Sequence, residues 1–109
     1  MTKASVVWST EALVDIETIF DFLSEQSTTA AGSVVEKILA RAHQLSNFPE
    51  SGAVYPGMVG SDRQYRFLIE GNYKIIYSHS ALNRIVYVEV VFDTRRNPDE
   101  LLISDTDSA

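Results

Sequence analysis

The chain contains no cysteine, which excludes disulfides, thiol nucleophiles and thiolate metal sites together. Its two histidines, His43 and His79, lie in separate segments with no second histidine or carboxylate at ligand spacing, so no metal centre is expected. No run approaches the roughly 18 apolar residues that cross a bilayer. The start also lacks the basic-then-apolar order of a signal peptide, so a cytoplasmic protein without membrane contact is predicted. Gly57 and Gly60 do not sit in the strand–loop–helix context of a phosphate-binding glycine loop, and no cofactor is expected. Positive charge is scarce: nine Lys and Arg stand against fifteen Asp and Glu, a net charge of −6. That balance argues against a surface built chiefly for nucleic acid. Six of the nine, however, follow Gly60 (Arg63, Arg66, Lys74, Arg84, Arg95 and Arg96), which leaves room for a local basic patch.

What is present is a chain of 109 residues, 45% hydrophobic, enough for one modest core. Residues Ser5 to Trp8 are β-prone, and Ser9 can cap the helix that follows. Ala12, Leu13, Ile16, Ile19, Phe20 and Leu23 recur at helical spacing, predicting a first helix from about Thr10 to about Gln26. After the polar break at Ser27-Thr28-Thr29, a second stripe of Ala31, Val34, Val35, Ile38, Leu39, Ala42 and Leu45 predicts a helix ending near Asn47 or Phe48, before Pro49. Pro49, Gly52, Pro56, Gly57 and Gly60 then mark a loop. Strands are predicted over roughly 64–70, 73–79 and 84–92. Residues 1–98 are read as one domain and the acidic stretch 99–109 as a tail, mobile beyond Ile103.

A two-residue turn at Gly71-Asn72 would pair Glu70 with Tyr73, Leu68 with Ile75 and Arg66 with Tyr77. A four-residue turn at Ser80 to Asn83 would then align Val86 with Tyr77 and Val88 with Ile75. The helix side becomes Leu68, Tyr73, Ile75, Tyr77, Val86, Val88 and Val90. The opposite side becomes Tyr65, Phe67, Ile69, Lys74, Ile76, Tyr87, Glu89 and Val91, a face too apolar for water and therefore a binding surface. The fold class is α+β: an N-terminal strand, then an antiparallel two-helix hairpin packed on an antiparallel sheet that ends in a three-stranded meander.

Trp8-Ser9 before a helix with Ala12 and Asp15-Ile16, Leu45 with Pro49-Glu50-Ser51-Gly52, Arg66-Phe67-Leu68, Tyr73-Lys74-Ile75-Ile76-Tyr77 and Arg95-Arg96-Asn97-Pro98 follow in an order that resembles the RelE/ParE superfamily, on the ParE-like side. The resemblance implies a toxin neutralised by a cognate antitoxin. In that family some members cleave messenger RNA on the ribosome and others inhibit DNA gyrase. For the RNA-cleaving branch the resemblance places Tyr65 and Phe67 where lysines are frequent, Lys74 where arginine is usual, and Arg95 at the sheet's end; Lys74 and Arg95 could hold a phosphate between them. Phe67 cannot transfer a proton, and a tyrosine near its ordinary pKa of about 10 is a poor base. Glu50 and Glu89 are the carboxylates that could serve beside Lys74.

The expectation is accordingly a growth inhibitor that binds a target such as DNA gyrase rather than an enzyme. The alternatives are a ribosome-dependent endoribonuclease with a reduced catalytic set, using Lys74 and Arg95, and a decayed toxin that only binds its antitoxin. Tyr65, Phe67, Ile69, Ile76, Tyr87 and Arg96 are expected to meet the antitoxin or target, with a homodimer on the same face when the antitoxin is absent. Arg66 is expected to be structural, ion-paired with a carboxylate of the first helix such as Asp15. The competing readings are a solvated Lys74 and an Arg95-Arg96 doublet that is only a charged turn before Pro98.

Overall fold

A computed structural model describes residues 3–56 and 63–95, so Arg96, Pro98 and the acidic tail expected to be mobile lie outside the described residues. Strand β1 (Ser5–Trp8) leads through Ser9 into helix α1 (Thr10–Ser24). Helix α2 (Thr28–His43) runs into a single 3₁₀ turn at Gln44–Ser46. Strands β2 (Ala53–Tyr55), β3 (Tyr65–Glu70), β4 (Tyr73–Ser80) and β5 (Ile85–Asp93) follow. The five strands form one sheet in the order β1-β5-β4-β3-β2. β1 lies parallel to β5 and the other pairs are antiparallel.

Both helices start on serine caps, as hydroxyl acceptors for orphan N–H groups should. Ser9 Oγ accepts from the Ala12 N–H at 2.9 Å, and Ser27 Oγ from the Ala30 N–H at 3.1 Å. α1 stops two residues short of the expected Gln26, where the N–H groups of Gln26 and Ser27 both return to the Leu23 carbonyl. The core joins Ala12 of α1 and Ile38, Ala42 and Leu45 of the second helical segment to Leu68, Tyr73, Ile75, Tyr77, Val86, Val88 and Val91 of the sheet. Within the predicted stripes Leu13, Phe20 and Leu39 are exposed, whereas Ala12, Ile38, Ala42 and Leu45 are buried and Ile16, Ile19 and Val34 pack against the core.

The β3–β4 hairpin has the expected register throughout. Gly71 takes φ +59°, the left-handed value a two-residue turn demands of its first residue and that glycine adopts without steric cost.

Three features differ from the sequence reading. The loop at 49–60 contains an edge strand, β2, too short and too closely flanked by glycine and proline to register as one. The β4–β5 register is shifted, so that Val86 faces His79 and Val88 faces Tyr77. Finally, the ladder slips between Ile76 and Tyr77, where Tyr77 pairs with Val88 but Ile76 pairs with Val90, leaving Glu89 as the extra residue of a β-bulge. A bulge shifts side-chain alternation by one. Val91 therefore enters the core on the helix side, while Val90 and Phe92 join the opposite face with Ile76 and Lys74.

The bulge is held by the start of α1. β1 covers β5 only as far as Val88, and beyond it Ser9 Oγ donates to the Glu89 carbonyl at 2.9 Å while Asp15 Oδ2 accepts the Val91 N–H at 2.9 Å. Two helix side chains thus satisfy backbone groups that a longer β1 would otherwise have to meet.

Candidate functional site

The sheet face turned away from the helices gathers several of the expected binding residues. Lys74 Nζ lies 4.5 Å from the Phe67 ring centroid and 5.8 Å from that of Tyr55, and the two rings meet edge to face at 5.9 Å. These are cation–π distances, and Lys74 has no carboxylate partner among the described residues. Tyr65, Phe67 and Tyr87 are half-buried and Ile69 is 45% exposed. Ile76 is fully buried and cannot meet a partner, and Val90 and Ser78 beside it are closed off as well. The face is a rim of aromatic rings around a covered centre, not the continuous apolar surface expected.

Arg95 is elsewhere. Its guanidinium grips Asp93 through Nε to Oδ1 at 2.9 Å and Nη2 to Oδ2 at 2.7 Å. That hydrogen-bonded pair raises the Arg95 pKa further above its ordinary value. Arg95 lines a cavity of about 400 Å³ on the helix side, together with Asp15, Phe22 and Tyr73. Lys74 is on the opposite side of the sheet, so the two cations expected to share a phosphate are not brought together.

Arg66 and Asp15 are not paired either. Arg66 Nη1 donates to the carbonyls of Glu50 at 3.3 Å and Gly52 at 2.9 Å, tying the loop before β2 to β3. Asp15 serves the bulge. Each is hydrogen-bonded to backbone groups instead of to the other.

Neither carboxylate considered as a base is engaged with Lys74. Glu89 receives Arg63 at 3.0 Å and the Ser78 hydroxyl at 3.1 Å. Glu50 Oε2 lies 3.0 Å from His79 Nδ1. This His79–Glu50 pair joins residues 29 positions apart and has no local signature in the sequence. With Arg63, Gln64 and Arg66 it lines a second cavity, of about 380 Å³, at the end of the sheet. Among the described residues no three His, Asp or Glu side chains come together as a metal site, and no helix is long and apolar enough to cross a membrane.

A small α+β domain with a helical hairpin on a sheet of this strand order is the architecture of the RelE/ParE toxins. The profile of the family described as ParE toxin of type II toxin-antitoxin system, parDE, matches residues 6–98, and the chain belongs to that family. Solved structures share the fold at low identity. The chromosomal ParDE system from P. aeruginosa aligns with a TM-score of 0.70 at 18% identity, over 85% of this chain and 98% of that one. The archaeal RelE–RelB complex from Pyrococcus horikoshii OT3 aligns at 0.60 and 15%, over 89% and 100%. The RelBE2 toxin–antitoxin complex from Mycobacterium tuberculosis gives 0.56 and 15%, over 84% and 98%. Among curated proteins none matches in sequence.

Proposed function

We propose that this toxin arrests bacterial growth by binding DNA gyrase, without cleaving RNA, and that a cognate antitoxin neutralises it. The observation that carries the reading is the separation of Lys74 from Arg95. A ribonuclease built on this fold needs a proton acceptor and converging cations around one phosphate. Here Lys74 is alone among aromatic rings, Arg95 is engaged by Asp93 on the other side of the sheet, and Tyr65 and Phe67 supply no base. Gyrase inhibition requires only a surface.

Pulse-labelling after induction tests this directly. Thymidine incorporation should fall within the first minutes, before methionine incorporation, and Lys74→Ala should leave growth arrest in place. An early fall in methionine incorporation, abolished by Lys74→Ala, would replace gyrase with the translating ribosome. No fall in either would leave an antitoxin-binding module.

For the antitoxin we propose the apolar surface that the two helices leave uncovered. Leu13 is 51% exposed and Phe20, two turns further along the same stripe of α1, is 37% exposed, and Leu39 of α2 is also open. The amphipathic helix of a partner would bury these side chains. Leu13→Asp should retain the parent circular dichroism spectrum and weaken antitoxin affinity at least ~30-fold, since truncating a central apolar anchor typically costs ~2 kcal/mol or more. Unchanged affinity in a titration of the pair would move the antitoxin off α1.

A further inference from the structure

The cavity at the end of the sheet collects several hydrogen-bond donors, on Arg66, Gln64 and Asn83, that have no acceptor among the described residues. Arg66 uses only Nη1 on the carbonyls of Glu50 and Gly52, so its Nε and Nη2 edge meets no acceptor among the described residues. The clamp fixes the guanidinium plane before any ligand arrives, which lowers the ordering cost of binding. The side-chain amides of Gln64 and Asn83 line the same cavity without a partner among the described residues. Ser80 Oγ accepts the Asn83 N–H at 3.4 Å, leaving its hydroxyl proton to donate.

The nearby carboxylates are already engaged. Glu50 faces His79 Nδ1 at 3.0 Å, and Glu89 is held by Arg63 at 3.0 Å. Of the arginines and the histidine that line the cavity, Arg66 is the one with no carboxylate partner among the described residues. A pocket with one preset guanidinium edge and neutral donors around it favours an anion with several acceptor oxygens.

We propose that this cavity binds a phosphoryl group, two of whose oxygens take the Nε–H and Nη2–H edge of Arg66 while Gln64, Ser80 and Asn83 donate to the remainder. A planar carboxylate would use the arginine edge and leave the other donors unmet. The volume of about 380 Å³ accommodates a phosphate monoester as large as a nucleoside monophosphate. The inference is independent of the toxin's target, because it concerns the opposite end of the sheet from the Gly71 turn and reads out without any growth assay.

The test is a ¹H–¹⁵N NMR titration of the full chain with inorganic phosphate, adenosine monophosphate and acetate at matched ionic strength. Phosphate and the nucleotide should move the Arg66 Nε–H cross-peak saturably, with acetate producing no saturable shift. Gln64→Glu places a carboxylate beside Arg66 on an exposed position and should weaken phosphate binding at least ~10-fold with the melting temperature unchanged. Arg66→Lys keeps the charge and loses the edge, and should also weaken it. The proposal is overturned if phosphate gives no saturable shift up to ~20 mM, a limit set by the weakest affinities that count as a site. It is overturned equally by acetate saturating at the same concentration, or by Gln64→Glu binding phosphate as the parent does.

Discussion

Gly52→Ala should destabilise the fold by ~2–4 kcal/mol, among the largest losses expected from a single added methyl group. A Cβ at this position would lie 2.6 Å from the Phe67 carbonyl oxygen and 2.8 Å from the Tyr77 hydroxyl. Neither neighbour can yield cheaply. The carbonyl belongs to the β2–β3 ladder, and Tyr77 is fully buried in the core. The same contact positions the Gly52 N–H to donate to Tyr77 Oη at 2.9 Å, a bond the alanine would strain. For a domain of this size the loss corresponds to a fall in Tm of ~10–20 °C. In a Tyr77→Phe background the hydroxyl contact disappears while the ring contact, 2.9 Å to Cε1, remains, so the double variant should be less destabilised than the two single losses added together. Thermal melts of the four proteins decide it, and an alanine variant within about 1 kcal/mol of the parent would show that the β2 loop has room this geometry denies.

Asp15→Ala should cost ~1–3 kcal/mol, because it strips the Val91 N–H of its acceptor at a partly buried bulge. Asp15→Asn separates the hydrogen bond from the charge. Burial pushes the Asp15 carboxyl above its ordinary value of 3.8, with Glu11 adding to the rise and the Val91 N–H opposing it. A carboxyl with a raised pKa holds its proton more tightly in the native state than in the unfolded one. Stability attributable to Asp15 is therefore greatest at pH below both values and declines as pH rises from 3.8 through the raised value, after which it is level. Asparagine keeps the acceptor and has no proton to lose, so that decline should vanish and the variant should equal or exceed the parent at neutral pH. Urea midpoints of parent and Asp15→Asn at several pH values test the sign, and parallel curves would remove Asp15 as the source.

The parts of this molecule legible in its sequence are those fixed by neighbours in the chain. The serine caps, the helical stripes and the β3–β4 pairing all depend on residues a few positions apart, and Gly71 pins the hairpin register. The bulge at Glu89 was hidden because Val90, Val91 and Phe92 are all apolar, so either phase of alternation satisfies a core, and the groups that select one phase, Ser9 and Asp15, lie 80 and 76 residues away. Charge complementarity suggested Asp15 for Arg66, whereas the actual acceptors are carbonyls, which every residue carries and no pattern reveals. The two cations were within reach of each other by sequence, and only the Asp93 grip after the shifted ladder places Arg95 on the far side.

The hand-over from β1 to α1 along β5 also sets an order of assembly. β1 pairs with residues 85–88, and the capping serine of α1 bonds residue 89. A chain growing from its N-terminus therefore carries an unpartnered strand, and a helix start with its outward hydroxyl contact unmade, until most of its length has been synthesised. Contacts this distant in sequence are slow to form, since the intervening loop must be closed before they stabilise anything. The native surface accordingly exists only once β5 has left the ribosome, and a nascent chain interrupted before Ile85 has no complete toxin fold to present.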